Sequence, residues 1–354
     1  MALSIGIVGL PNVGKSTLFT ALTHKGGVAT KHPFATTERN IGIVPVPDER
    51  LAALAQIVHP GRIMPATVEF VDVAGLVKGS SEGEGLGNQF LSNIRETDAL
   101  IEVVRYFSDE DVIHVTGEPD PPSDIEIIKT ELILADLGTI ERALPRLDKD
   151  AKRDKNLAAK LEVVKRLQAW MDEGNRASSL EMTQEERGLL YDLHLLTMKP
   201  ILYVANVDED KTSSELEPLE GVKPLIISAK LEAEISEIEP EEAAEYLAMI
   251  GFEQSGLERL IQAAYTLLGL QSFFTAGEME VRAWTIPQGA KAPQAAGVIH
   301  SDFERGFIKA ETVGYNDFIE HGGEAASRAA GKLRQEGKEY VVRDGDVMHF
   351  KFNV

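Results

Sequence analysis

Gly9 and Gly14 bracket four residues and Lys15-Ser16-Thr17 follows directly, giving the pattern G-x-x-x-x-G-K-[ST]. Those residue types at that spacing are suited to holding a polyphosphate. Backbone N–H groups of a glycine-rich loop, and of the helix it opens, converge on anionic oxygens. Lys15 adds a positive charge at the β and γ oxygens, and the Ser16 hydroxyl is a ligand for Mg²⁺. Further along, Asp72-Val73-Ala74-Gly75 offers a carboxylate placed to hold Mg²⁺ through water and a glycine N–H for the γ-phosphate. In Pro33-Phe34-Ala35-Thr36-Thr37 one of two threonines completes the metal shell, and these residues alone leave Thr36 and Thr37 as rivals. Each piece is common alone. Their order along one chain points to a nucleotide switch.

Such groups need a sheet to aim them. Ile5 to Val8 reads as a buried strand, and Leu18-Phe19 continues a helix to about Thr23. Lys25 to Asn40 is polar and reads as a loop, and Ile41 to Val46, with Pro45, alternates like an edge strand. Asp48 caps a helix to about Val58, and Thr67 to Val73 is a strand ending at Asp72. A loop with Gly79, Gly83, Gly85 and Gly87 leads to a helix over Leu86 to Thr97 and a strand over Ala99 to Val104. This alternation predicts an α/β fold with a mostly parallel sheet.

The alternation then stops. Ile133, Leu137, Ile140, Leu144 and Leu147 follow a helix start at Ser123-Asp124, and Leu157, Leu161, Val164, Leu167 and Met171 form a second stripe. Two antiparallel helices along one seam are expected, with Pro145 kinking or ending the first. Between them lies Lys149 to Lys155, four bases against two acids, either a solvated tip or a contact to RNA phosphate. Strands return at Pro200 to Asn206 and at Val222 to Ile227, the latter ending in Ser228-Ala229-Lys230, and a helix over Gly256 to Leu268 closes the domain. From Phe273 the chain turns mostly β, with strands at Val281 to Ile286, Phe307 to Glu311, Tyr340 to Val342 and Val347 to Phe352 and a helical piece at Tyr315 to Glu320. His300, His321 and His349 there lack catalytic partners in sequence and read as structural. The divisions expected are 1–122 with 199–272 for the nucleotide domain, 123–198 for the helices and 273–354 for an interaction module.

Composition narrows the class. The 354 residues are 43% apolar and 26% charged, as in ordinary globular proteins. The absence of cysteine excludes a disulfide scaffold, a cysteine zinc site and a thiol nucleophile, and fits the cytoplasm. The first strand leaves no room for a signal peptide, and no apolar run is long enough to span a membrane. A formal charge of −21 argues against general nucleic-acid binding, DNA included, although seven acids between Glu232 and Glu245 concentrate part of it.

Base recognition departs from the guanine pattern Asn-Lys-x-Asp, for the corresponding residues are Asn206-Val207-Asp208-Glu209. Glutamate is one methylene longer than aspartate and crowds guanine instead of accepting from both of its donors. ATP is therefore expected over GTP, with Val207 offering an apolar face and Ser228, Ala229 and Lys230 shaping the pocket. Leu76 stands where many GTPases place the glutamine that orients water, so intrinsic hydrolysis should be slow and dependent on a partner or ion. Asn12 occupies the position that in potassium-activated switch proteins helps hold a monovalent cation.

Gly9 to Thr17, Pro33 to Thr37, Asp72 to Gly79 and the altered Asn206 to Glu209 together resemble the YchF/Obg-like ATPase family, and Arg282 to His300 with Asp344 to Phe350 resembles its TGS domain. The resemblance spans essentially the whole chain. It implies a P-loop domain with an inserted coiled coil, a β-grasp-like C-terminal module, ATP hydrolysis with Mg²⁺, association with the ribosome or its large subunit (RNA and proteins), and a role in translation or stress. By the family pattern Thr36 is the switch-loop ligand. Lys15, Thr36 and Gly75 are then the catalytic set, with Ser16, Thr36 and Asp72 (through water) at the metal. Nucleotide contacts fall to Asn12, Val13, Gly14, Lys15, Ser16, Thr17, Phe34, Ala35, Thr36, Asn206, Val207, Glu209, Ser228, Ala229 and Lys230. A nucleotide-gated scaffold with incidental turnover and a GTP-specific GTPase are the alternatives.

Overall fold

The computed structural model describes residues 3–24, 28–31, 40–73, 86–109, 112–114, 117 and 119–353. Its first elements are β1 (Ser4–Val8), α1 (Lys15–His24), β2 (Val28–Lys31), β3 (Asn40–Pro45), α2 (Glu49–Val58), β4 (Ile63–Met64), β5 (Thr67–Asp72), α3 (Leu86–Arg95) and β6 (Ala99–Arg105). The helices α4 (Pro121–Asp150), α5 (Lys155–Asp172) and α6 (Gln184–Leu189) follow, then β7 (Ile201–Asn206), β8 (Leu225–Ile227), α7 (Ala229–Ser236), α8 (Pro240–Met249) and α9 (Gly256–Leu267). The remainder is β9 (Leu270–Ala276), β10 (Val281–Pro287), α10 (Ala292–Ile299), α11 (Ser301–Arg305), β11 (Phe307–Gly314), α12 (Tyr315–His321), α13 (Glu324–Ala329), β12 (Arg334–Glu336) and β13 (Asp346–Phe352).

Packing divides the chain into two compact units. One contains 1–43 and 69–257, and the other 44–68 and 258–354. The sequence reading did not anticipate that 44–68 and 258–272 group with the C-terminal residues.

A seven-stranded sheet runs in the order β2-β3-β5-β1-β6-β7-β8. Its inner pairs are parallel: β1 with β5 and β6, β6 with β7, and β7 with β8. Every residue of β6 is buried, as a strand covered on both faces must be. Two expectations are corrected at the other edge. Val28–Lys31, placed in the expected polar loop, is a strand because Val28 to Lys31 pair antiparallel with Ile43 to Asn40. That pairing also makes β3 an inner strand, with β2 at the edge. At the far edge β8 covers only Leu225–Ile227, because Val222 instead bridges Leu219 in a turn.

The inserted helices behave as their stripes require. Ile133, Ile140 and Leu147 of α4 and Val164, Leu167 and Met171 of α5 share one buried cluster, with Leu137, Leu144, Leu157 and Leu161 packed on it. Full burial of side chains such as Ile140 and Leu167 contributes about 1.5–3 kcal/mol each. Pro145 does not end α4, which continues to Asp150. The proline is exposed while Leu147, one half-turn on, is buried in the seam, so tertiary packing outweighs the missing N–H. At its root the hairpin is tied to the sheet by charge. The Lys129 Nζ of α4 lies 3.0 Å from Glu220 Oε1, and Arg176, where the chain returns, donates to Glu220 Oε2 at 2.9 Å and to the Tyr203 hydroxyl at 3.1 Å. Tyr203 in turn donates to Glu220 at 2.6 Å. Beside it the fully buried Glu102 has no hydrogen-bond partner among the described residues, and burial, opposed by Arg176, pushes its carboxyl up to about 8.

In the second unit six strands run in the order β12-β11-β13-β9-β10-β4. Phe273, Ile286, Phe307 and Phe350 pack with Ala292, Ala295 and Ala296 of α10, whose small side chains let the helix lie close on the sheet. Tyr340 to Val342 is not a strand. Val341 makes one isolated bridge to Lys291, and the Tyr340 hydroxyl is tied to Asp346 at 2.6 Å. His300 caps α11 through Nδ1, and His321 Nδ1 lies 2.9 Å from the Asp317 carbonyl.

Candidate nucleotide site

The phosphate loop lies at the C-terminal ends of the parallel strands, where α/β sheets bind ligands. Glycine is required at both ends of the loop. Gly9 has φ +155°, and a Cβ there would stand 2.6 Å from the Val103 carbonyl. Gly14 has φ +96°, and its Cβ would meet the Asn206 Nδ2 at 2.2 Å. α1 begins at Lys15, and the Leu18 N–H already bonds the Gly14 carbonyl at 3.0 Å. The free N–H groups of the first turn therefore face the loop.

Lys15 is 7% exposed and donates to the Leu10 carbonyl at 2.7 Å. Burial lowers its ammonium to about 8, against the pull of Asp72. Asp72 ends β5 beside Ile7 of β1, and burial raises its carboxyl against a hydrogen bond from Asn40 and the charge of Lys15. Opposite groups each disfavoured by dehydration are what an anion with a divalent cation would relieve. The exposed Ser16 hydroxyl and the half-buried Asp72 carboxylate form the hard-oxygen set that Mg²⁺ takes, so these residues fit the ion. Mg²⁺ there would neutralise charge on the phosphate oxygens. Phe34, Ala35, Thr36, Thr37, Gly75 and Leu76 lie outside the described residues.

A cavity of about 960 Å³ extends from the phosphate loop to the base tetrad. Of the expected nucleotide contacts, Asn12, Gly14, Lys15, Ser16, Thr17, Asn206, Val207, Glu209, Ser228, Ala229 and Lys230 line it. Val13 turns its side chain into the core but offers its carbonyl to Asn206. Asn206 acts as a bridge: Nδ2 donates to Val13 O and Oδ1 accepts from Ala229 N, both at 2.9 Å. Val207 is 3% exposed and packs with Ala205 and Ile226, which leaves little of its side chain for a base. The Glu209 carboxylate pairs with Lys230 at 2.7 Å, and the Ser228 hydroxyl caps α7.

One wall was missing from the sequence reading. Phe107, Ser108, Asp109 and Val112, just after β6, line the same cavity. The buried Arg105 holds them, its Nε donating to the Phe107 carbonyl at 3.2 Å, one terminal nitrogen to Val112 at 2.9 Å and the other to Asp109 at 3.1 Å. An arginine closing a strand whose other polar residue is Glu102, at the sheet's ligand edge, was the available signal.

Known proteins match this arrangement. Residues 4–131 match a family model described as a 50S ribosome-binding GTPase, and residues 270–353 match one named YchF-GTPase_C, described as a protein of unknown function. The ribosome-binding ATPase YchF of Bacillus subtilis is 52% identical over 366 residues, covering all of both chains. The chain belongs to the YchF family. The ribosome-binding ATPase YchF of Escherichia coli O157:H7 is likewise 52% identical over 363 residues and the full length of both. The solved structure of the Schizosaccharomyces pombe YchF GTPase superposes with a TM-score of 0.87 at 37% identity, covering 99% of this chain and 97% of that one. A P-loop fold with an inserted helical domain and a C-terminal α+β unit, read from the sequence, is therefore the fold of this family.

Proposed function

We propose that this chain is a slow, Mg²⁺-dependent ATPase whose nucleotide state sets its association with the ribosome in the cytoplasm. The relatives carry both names, ATPase and GTPase, and the choice for this chain rests on Glu209. Its carboxylate is engaged by Lys230 at 2.7 Å, on a side chain longer than the aspartate guanine requires. Accepting from both guanine donors would put this longer side chain where an aspartate fits and would disturb that exposed pair. One charge-assisted hydrogen bond is worth about 1.5–3 kcal/mol, so ATP should be held at least about tenfold more tightly than GTP. A competition titration measures this directly, and equal affinities would reverse the assignment.

We infer further that a monovalent cation assists. Asn12 has φ 62° and donates through Nδ2 to the Ile113 carbonyl at 3.0 Å, which leaves its Oδ1 as an oxygen for K⁺ beside the phosphates. Turnover should rise severalfold in K⁺ over Na⁺ at equal ionic strength. Identical rates would remove the ion from the scheme.

The tip of the helical hairpin is the surface proposed to meet ribosomal RNA. Asp148 pairs with Lys152 and Lys165, while no ion pair among the described residues holds Lys149, Arg153 or Lys155. Lys152→Glu with Arg153→Glu should weaken ribosome binding and flatten its salt dependence. An unchanged salt slope would return the tip to a solvated loop. Among the described residues no helix is long and apolar enough to cross a membrane.

A further inference from the structure

We infer that Arg105 is a positioning residue that makes the base end and the phosphate end of the cavity one preorganised site. The inference rests on the nucleotide reading above and concerns a group that need not touch the ligand.

Arg105 is the last residue of β6 and is 2% exposed, so its charge is placed where dehydration is costly. Each of its three guanidinium nitrogens is used on a main-chain carbonyl: Phe107, Asp109 and Val112. Its Cζ also lies 4.3 Å from the centre of the Phe107 ring. A rigid planar fork can gather three carbonyls in this way, whereas a lysine ammonium on a flexible stem cannot reproduce the geometry.

The chain gathered by Arg105 is fastened to both halves of the site. On the base side, Tyr106 N donates to the Asn206 carbonyl at 2.8 Å and Ser108 N to Asp208 Oδ1 at 3.3 Å. On the phosphate side, the Ile113 carbonyl accepts from Asn12 Nδ2 at 3.0 Å. Asn206 separately joins Val13 to Ala229. The phosphate loop and the base tetrad are thus linked by two routes, and only the wall route depends on Arg105. Binding a ligand that spans both ends requires the wall to stay in place, and the ordering it would otherwise need is already done in the fold.

The test compares ATP with inorganic triphosphate, which engages the phosphate loop and lacks the nucleoside. Arg105→Lys keeps the charge and loses the fork. It should weaken ATP binding by about tenfold while changing triphosphate affinity less than about threefold. A merely structural role would lower the melting temperature and reduce both affinities of the folded protein alike, and that result would overturn the inference, as would two unchanged affinities. Asp208→Ala releases Ser108 from the other side on a partly exposed residue, and should give the same split even if Arg105→Lys fails to fold. Wild-type protein that holds ATP no more tightly than triphosphate would instead overturn the nucleotide reading itself.

Discussion

Replacing Lys15 by methionine should lower ATP affinity and turnover by about 10²–10³-fold while the protein stays folded. Methionine keeps the length and apolar stem of a side chain that is already 7% exposed, so the change removes charge more than packing. The lost interaction is made in a buried site, where a positive charge opposite phosphate counts for more than at a surface. The same residue sets a pH dependence. Because burial has brought its ammonium to about 8, the ligand-free protein carries a neutral Lys15 in a growing fraction above that pH. A bound polyphosphate favours the charged form, so binding should take up about half a proton at pH 8 and almost none from this group at pH 6. Calorimetry in buffers of different ionisation enthalpy measures the uptake, and none at pH 8 would contradict the assignment. Ribosome binding by Lys15→Met at wild-type strength would favour a scaffold over a nucleotide-set switch.

Gly14→Ala should also be damaging, through geometry alone. The new methyl group would meet Asn206 Nδ2 at 2.2 Å, and φ of +96° disfavours any side chain. Either the loop or Asn206 must move, and the Val13–Asn206–Ala229 bridge then breaks. A loss of nucleotide affinity of about tenfold or more is expected, with a fall in melting temperature. Adding Asn206→Ala removes the clashing atom but not the backbone strain, so it should rescue folding partly and affinity hardly at all. Rescue of affinity to the wild-type level would show that the bridge has no part in holding the nucleotide.

The phosphate end was legible because its chemistry is local. Gly9, Gly14, Lys15 and Ser16 act through spacing along eight consecutive residues, and sequence displays spacing directly. The helical hairpin was legible for a related reason, since its seam repeats at helical intervals. The cavity wall was not, because Arg105 works through carbonyls, and every residue type has one. Asn206 was expected among the nucleotide contacts, yet both ends of its side-chain amide are committed to Val13 and Ala229. The Glu209–Lys230 pair joins residues 21 positions apart, a proximity set by where β7 ends and α7 begins. The strand Val28–Lys31 was hidden in a polar segment because its partner, not its own periodicity, makes it a strand.

The charged root of the hairpin fastens the insertion to the sheet. Thirty residues of α4 amount to an arm of about 45 Å. Two of its attachments, Lys129 going out and Arg176 coming back, grip the single carboxylate of Glu220, and Arg176 and Glu220 both hold Tyr203. Tyr203 lies three residues before Asn206 on β7. The strand that holds this charged root is thus the same strand that carries the Val13–Asn206–Ala229 bridge.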